Sequence, residues 1–164
     1  MWYRTFLLFR GLLFLLALLL LGNPGPCFSQ TNVLTYHNDN LRTGQNLTET
    51  ALLPATVKSS SFGKLFTVPM DGKVDAQPLY VAAVAISGVG VRPVVYAATE
   101  HDSVYAFDAR TGTVYWHVTL LGAGEVPSDS RSCNQVTPEI GITATPVIAF
   151  VHEKIANTVS VVIS

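Results

Sequence analysis

The residues in this sequence best suited to chemistry by type and spacing are the neighbours His101 and Asp102. A histidine beside an aspartate can act as a general base, because the carboxylate stabilises the charged imidazole. A base of this kind needs a nucleophile to act on, and the sequence shows no recognisable one near this pair. We therefore favour the interpretation that His101 and Asp102 belong to a polar surface turn.

Cys133 is the other side chain that could be reactive. A thiol becomes a nucleophile beside a positioned base, and a metal ligand when further ligands accompany it. The second cysteine, Cys27, lies in residues 1–29, which we expect to be removed. Cys133 alone can build neither an internal disulfide nor a cysteine metal site, and we expect it to be a small, half-buried side chain.

Residues 1–29 have the pattern of a secretory signal peptide. Arg4 and Arg10 are its only charges, residues 11–21 form an unbroken apolar run, and small or helix-breaking residues follow. The small residues Cys27 and Ser29 favour cleavage after Ser29. A transmembrane anchor is the alternative, but the run is shorter than the roughly 20 residues a bilayer requires. Lipid attachment at Cys27 is a further alternative, which the preceding Pro-Gly-Pro disfavours.

The charge of the remaining chain gives no support for two classes of partner. Residues 1–29 contain two of the ten basic residues and none of the eleven acidic ones, so the rest carries a net charge of about −3. A mildly acidic domain gives no electrostatic argument for binding nucleic acid or anionic lipid. We expect an exported protein, periplasmic or extracellular, that meets a membrane only through an uncleaved signal peptide.

Residues 30–61 are polar and rich in turn formers, and we expect an ordered lead-in segment that packs on the fold. Residues 48–53 could form one helical turn before Pro54 stops it. We expect His37 and Asn38 to hydrogen-bond to the first sheet rather than to act in catalysis.

From residue 62 onward, short apolar runs alternate with turns, which is typical of an all-β sandwich, barrel or propeller. Residues 103–108 alternate so that Val104, Ala106 and Asp108 should share one face of a strand. The predicted strands are 63–69, 76–83, 94–99, 103–108, 113–120, 142–150 and 158–163, with a glycine-rich loop at 87–93 and a long polar loop at 122–137. Pro78 favours an edge or strand-start position.

An internal repeat favours the propeller. Residues 76–81 (AQPLYV) are similar to residues 144–149 (ATPVIA), with Pro78 and Pro146 separated by 68 positions, and each copy is followed by a β-branched run. Repetition of small sheets around an axis covers the faces of each sheet with its neighbours. A chance similarity within a sandwich is the alternative.

The segment 94–116 (VVYAATEHDSVYAFDARTGTVYW) resembles the blade signature of quinoprotein-like β-propellers, the superfamily of pyrroloquinoline-quinone (PQQ) dehydrogenases and their non-catalytic relatives. Asp108 and Thr111 can cap its tight turn, and Gly112 can adopt a positive φ. In this family Trp116 would dock between adjacent blades. Segments similar to secreted bacterial members are 36–46, 62–66, 76–80 and 138–147. The resemblance covers most of residues 33–150 and fades after Phe150.

The resemblance implies an all-β, incomplete β-propeller of about one and a half four-stranded blades after an N-terminal signal helix. The domains are then a signal peptide (1–29), a lead-in segment (30–61) and a partial propeller (62–164). Ring closure is what removes open sheet edges. We therefore expect a fragment whose exposed blade edges indicate self-association or missing blades.

In the catalytic relatives a Ca²⁺ ion polarises the quinone and an aspartate acts as base. Those residues cannot be mapped onto this chain, so we predict no catalytic, cofactor-binding or metal-binding residue and no cofactor for it. PQQ and calcium would belong to a full-length parent. Glu139 precedes a strand that points toward the propeller centre in the family, so it is a residue that could touch a ligand.

Three functions follow from these observations. The first is an exported PQQ-like repeat fragment that serves as a non-catalytic binding or scaffold module. The second is the N-terminal piece of a PQQ-dependent periplasmic alcohol or sugar oxidoreductase, which depends on an analogy of fold. The third is a degraded reading frame with no independent role.

Overall fold

The computed structural model describes residues 31–153 and 156–162, with side chains described as far as residue 150. The predicted signal peptide lies outside them. The described part is all-β. Its strands are β1 (Leu79–Ile86), β2 (Gly90–Ala98), β3 (Ser103–Asp108), β4 (Val114–Thr119), β5 (Ser128–Asp129), β6 (Glu139–Ile140), β7 (Val147–Glu153) and β8 (Ala156–Val162). Across the described ranges, no helix combines the length and apolar character that crossing a bilayer requires.

The central element is a four-stranded antiparallel sheet in which β1, β2, β3 and β4 follow one another in chain order. β5 pairs with β6, and β7 pairs with β8, in two separate two-stranded sheets. Short turns connect the four central strands, so each strand pairs with the next one along the chain.

Both faces of the four-stranded sheet carry buried apolar side chains, and β3 is buried at every position. Val104 and Ala106 lie on one face and Tyr105 and Phe107 on the other, so the predicted alternation is confirmed. The first face, called here the Ile148 face, packs Leu79, Val94 and Tyr96 against Ile148 near the start of β7. Since a strand presents alternate residues to opposite faces, this sheet needs cover on both sides.

The second face, called here the Phe66 face, is covered by residues 63–70, which we name the cross-face segment. Phe66, Val68 and Met70 of this segment pack against Ala97, Tyr105 and Phe107. The segment is extended, but the structure includes it in no strand. The strand predicted at 63–69 is therefore wrong as a paired strand, because the segment lies flat on the sheet and does not join its edge.

The β7–β8 hairpin repeats the β1–β2 hairpin. Leu79 pairs with Tyr96 in the first, and Val147, which lies 68 positions after Leu79, pairs with Val162 in the second. At the preceding repeat position the two copies contact each other, since the Gln77 amide donates to the Thr145 hydroxyl at 2.9 Å. The two units related by the sequence repeat are therefore also spatial neighbours.

The turn between β3 and β4 has the predicted cap. The Asp108 carboxylate accepts hydrogen bonds from the amides of Arg110 (2.7 Å) and Thr111 (3.1 Å), and Gly112 has a φ of 74°. The ring of Phe66 lies where a Cβ on Gly112 would be, at 2.6 Å. Glycine is required here both for its positive φ and for the close approach of the cross-face segment.

Several strand boundaries differ from the prediction. β2 begins at Gly90, inside the predicted loop 87–93, because Gly88 and Gly90 adopt positive φ and make the hairpin turn short. β1 begins directly after Pro78, as the strand-start interpretation required. β7 begins only at Val147, since the residues before it contact the turn between β2 and β3.

The lead-in segment packs on the fold at its beginning. Val33 pairs with Tyr80 beside β1, and the carbonyl of Leu34 accepts a hydrogen bond from the Ile148 amide at 2.8 Å. The helical turn predicted at 48–53 is not formed. The Glu49 carboxylate accepts hydrogen bonds from the amides of Ala51 and Leu52 there, which gives these donors a partner without a helix.

Candidate functional site

A set of polar side chains gathers at the turn between β2 and β3, and we call it the turn cluster. Its members are Thr99, Glu100, His101, Asp102 and Ser103 of the turn, with Asp71, His117, Glu139 and Thr143 from neighbouring segments. The short hairpin places the turn residues. Asp71 comes from the chain before β1, His117 from β4, Glu139 from β6 and Thr143 from the chain after β6. The turn cluster contains every histidine–carboxylate contact among the described residues.

The carboxylate of Asp71 lies at the centre of the turn cluster. It accepts hydrogen bonds from the hydroxyls of Thr99 (3.0 Å) and Ser103 (2.6 Å), and Nε2 of His117 lies 3.4 Å from it. Burial acts against the charged form, but the hydrogen bonds from Ser103 and Thr99 outweigh it and lower the pKa of Asp71. Ser103 and His117 both contact the same carboxylate, and this is not the relay order of a Ser-His-Asp triad.

Tyr105 connects this carboxylate to the Phe66 face. Its hydroxyl accepts a hydrogen bond from the Asp71 amide at 3.2 Å, and its ring stacks on His117 with a centroid separation of 4.3 Å. Burial raises the pKa of Tyr105. The hydrogen bond to the phenol holds the end of the cross-face segment against the sheet.

His101 makes its carboxylate contact with Glu139 and not with Asp102. Its Nδ1 lies 3.0 and 3.1 Å from the two carboxylate oxygens of Glu139, which stands 38 positions further along the chain. The hydrogen bond to Glu139 raises the pKa of His101, and the nearby charges of Asp71 and Asp102 add to this effect. The pair therefore ties the β2–β3 turn to β6.

Glu100 is the buried acid of the turn cluster, with no exposed surface. Its Oε2 accepts hydrogen bonds from the Gly141 amide (2.7 Å) and the Thr143 hydroxyl (2.9 Å), and its Oε1 is a buried atom without a partner among the described residues. A Cβ on Gly141 would lie 2.3 Å from the carbonyl oxygen of Glu100. Glycine is therefore required at 141 for the two segments to approach this closely.

Asp102 has a positive φ of 52°, and its carbonyl accepts the amide of Leu120 at 2.8 Å. Burial raises the pKa of Asp102, and repulsion from Glu100 raises it further. Asp102 thus closes the turn through its backbone, while its carboxyl group experiences the field of the buried acid.

The turn cluster revises several expectations from the sequence. The turn is not simply a surface turn, because Thr99, Glu100 and Ser103 are fully buried while His101 and Asp102 are half-buried. The sequence singled out His101 and Glu139 separately, and the structure brings them together. It missed Asp71 and Glu100, because a carboxylate beside glycines or in a polar turn has no signal that distinguishes it from a solvated one.

The remaining candidates lie apart from the turn cluster. Cys133 is exposed, so the expectation of a half-buried side chain is wrong. The His37 amide donates to the side-chain oxygen of Gln77, a residue just before β1, at 3.1 Å, while its ring Nδ1 lies 3.3 Å from the Arg42 carbonyl. For Asn38 the described residues show no such bond, and it adopts a φ of 70° in its turn.

The turn cluster does not fit the calcium ion that the resemblance implies for a catalytic parent. Ca²⁺ takes six to eight oxygen ligands. The oxygens of Asp71, Glu139 and Oε2 of Glu100 already contact hydroxyls, an imidazole and a backbone amide. Within the part of the chain that the structure describes, no three His, Cys, Asp or Glu side chains are placed to hold a metal ion.

The chain matches no protein-family model, no curated protein and no solved structure. The arrangement of the turn cluster is therefore what bears on its role. Its hydrogen bonds connect three consecutive turn residues to residues 139–142, which precede β7: the Thr99 carbonyl accepts the Ile142 amide, Glu100 contacts Gly141 and His101 contacts Glu139. The turn cluster acts as a joint between the four-stranded sheet and the β7–β8 hairpin.

Proposed function

We propose that this chain is part of an exported, PQQ-repeat-like β-propeller that works as a non-catalytic binding or scaffold module. The observation that carries the proposal is a four-stranded antiparallel sheet with two apolar faces, next to a second hairpin that begins to repeat it. Radial packing of such sheets is one physical way to cover both faces of each.

An uncovered part of the Ile148 face supports the proposal. Trp116 and Val118 of β4 pair with Ala106 and Val104, so they lie on the Ile148 face, yet they are 40% and 45% exposed. Ile148 covers the part of this face formed by β1 and β2. Further strands beside β7 and β8 would cover the part formed by β4.

The non-catalytic role is supported by the way the polar groups are used. The carboxylates of Asp71, Glu100 and Glu139 are engaged in contacts between segments. An alcohol or sugar oxidoreductase would need PQQ held at a site built by several blades, whereas the described residues form one four-stranded sheet and two two-stranded sheets.

An experimental structure of the purified chain tests the architecture. We expect the β1–β4 sheet to be flanked by the cross-face segment on one side and by β7 on the other, with Trp116 uncovered unless another chain covers it. A self-contained sandwich, or a helical domain over residues 76–150, would contradict the proposal.

Addition of PQQ and Ca²⁺ to the same preparation tests the function. We expect no rise in the thermal midpoint and no dye-linked oxidation of alcohols or sugars, because a ligand that binds the folded state would raise the midpoint. A raised midpoint together with turnover would favour the oxidoreductase.

A further inference from the structure

The cross-face segment has the conformation of a strand without a sheet. Phe66, Val68 and Met70 point onto the Phe66 face, while Leu65, Thr67 and Pro69 are exposed on the outer side. None of the backbone N–H and C=O groups of residues 63–70 makes a hydrogen bond within the described part of the chain. A period-two segment with unpaired backbone groups is a template for pairing with another strand.

One edge of this segment is better suited to pairing than the other. In a strand, residues two apart direct their N–H and C=O groups to the same edge. The edge formed by Lys64, Phe66, Val68 and Met70 has an N–H at every position, whereas Pro69 leaves the opposite edge without one. A new ladder is therefore expected on the edge of the even-numbered residues.

The β7–β8 hairpin has a strand edge to which a further strand could be added. β8 pairs with β7 along Ala156–Val162, and on its other side no described strand pairs with it. A two-stranded sheet is marginal by itself and gains stability from a third strand. This hairpin lies against the Ile148 face, on the opposite side of the sheet from the cross-face segment.

The positions of the two elements match when copies are stacked. Ile148 near the start of β7 packs in the apolar cluster formed by β1 and β2 residues. Since β7 and β8 repeat β1 and β2, in the proposed radial stacking a strand added beyond β8 would lie at the level of β3. The cross-face segment lies at that level on the Phe66 face, where it contacts Tyr105 and Phe107 of β3. If the Ile148 face of one copy meets the Phe66 face of another, the segment arrives beside β8.

In this arrangement the outer side of the cross-face segment would also contact apolar residues of the adjoining copy. Leu65 is 84% exposed, and it would face the uncovered Trp116 and Val118 of the adjoining copy. These residues are apolar on both sides of the contact, so their association removes exposed hydrophobic surface.

From these observations we infer that copies of this chain assemble head to tail, with the cross-face segment of one copy pairing with the edge of β8 that faces away from β7 in the next. The inference deepens the proposed function and rests on it, since it states which strands complete the cover of the Ile148 face. The contact joins two different surfaces, so repetition generates a ring or an open filament.

Two proline variants of the full 164-residue chain test the inference. Lys64→Pro removes an N–H from the pairing edge, and Thr67→Pro removes one from the opposite edge; both side chains are exposed. We expect sedimentation velocity to show concentration-dependent oligomers for the wild type and for Thr67→Pro, with association at least about tenfold weaker for Lys64→Pro. The wild type and both variants share residues 1–29, so aggregation through that segment would be the same in all three proteins.

Hydrogen exchange on the same samples distinguishes a failure of the assembly proposal from a failure of the proposed fold and function. Support requires that the amides of residues 64, 66 and 68 gain protection over the concentration range in which oligomers form. A chain that stays monomeric with protected β2 and β3 amides overturns the assembly, leaves the proposed function standing, and assigns the cover to further strands of a longer protein or to another protein. Equal association of all three variants also overturns it, and a monomer with unprotected β2 and β3 amides overturns both proposals.

Discussion

At the scale of single residues, the turn cluster shows polar groups that hold segments together instead of performing chemistry. His101 is bound by Glu139 through both carboxylate oxygens, and Asp71 is bound by two hydroxyls. Residue type alone could nominate His101 and Glu139 as candidates. It could not predict their contact, because 38 positions separate them and the contact exists only after the segment before β7 returns to the turn.

The raised pKa of His101 gives a prediction at this scale. The pKa of the folded state exceeds that of free histidine, so the stabilisation by protonated His101 is fully present below the ordinary value of 6.5 and is lost as the pH rises through the raised value. We expect the pKa of His101, measured by NMR titration of its ring protons, to fall toward 6.5 in Glu139→Gln.

The groups that act on His101 are Glu139 of β6, Asp71 of the segment before β1, and Asp102 of its own turn. Asp39→Asn serves as the matched control, because Asp39 is a half-buried acid of the lead-in segment that does not act on this histidine. An unchanged pKa in Glu139→Gln would show that the pair at 3.0 Å does not form in solution.

At the scale of elements, the sequence predicted best where alternation and turn chemistry agree. The prediction gave β3 its observed boundaries. Its apolar side chains alternate between two faces, a polar turn precedes Ser103, and a turn capped by Asp108 follows. The cross-face segment has the same kind of apolar alternation, so pattern alone could not show that it lies on a sheet face without a partner strand. Whether an extended segment pairs depends on the strand that lies beside it, and the sequence of the segment carries no information about that strand.

Gly141→Ala tests the joint between the sheet and the β7–β8 hairpin. The added Cβ would lie 2.3 Å from the Glu100 carbonyl oxygen, so the segment before β7 would have to shift. We expect a loss of about 1–3 kcal/mol in the free energy of unfolding, as for other overpacked sites, measured by urea denaturation.

Gly63→Ala is the matched control, because a Cβ at position 63 meets no atom within 4 Å. A change within about 0.5 kcal/mol is expected for such an open position. Equal losses in the two variants would show that the close approach of Gly141 to Glu100 does not contribute to stability.

At the scale of the whole molecule, the described part is held together by apolar contacts on two faces of one sheet. The sequence predicted the all-β class and the repeat, and the structure shows the repeated hairpins to be neighbours joined by Gln77 and Thr145. The identity of the cover on each face could not be predicted. It depends on the path of the chain before β1 and after β4, which brings together residues far apart in the sequence, such as Phe66 and Phe107.

Ile148→Ala probes how the hairpin is attached to the sheet. Ile148 is 4% exposed and packs against Leu79 and Tyr96, so its truncation should destabilise the fold by about 2–5 kcal/mol. Val91→Ala is the control on the same sheet, since Val91 is 62% exposed and should cost less than about 0.5 kcal/mol. Thermal unfolding followed by circular dichroism measures both, and similar midpoints for the two variants would contradict the packing.

The complete burial of β3 has a consequence for how substitutions would be tolerated along the chain. In a strand with one exposed face, every second position tolerates substitution by polar residues, because only alternate side chains contact the interior. Along Ser103–Asp108 the residues on both faces are buried, so neither set tolerates polar substitution, whereas most residues of the neighbouring β4 are exposed. Random mutagenesis of the gene would therefore find six consecutive constrained positions, followed after a short turn by a far more permissive stretch.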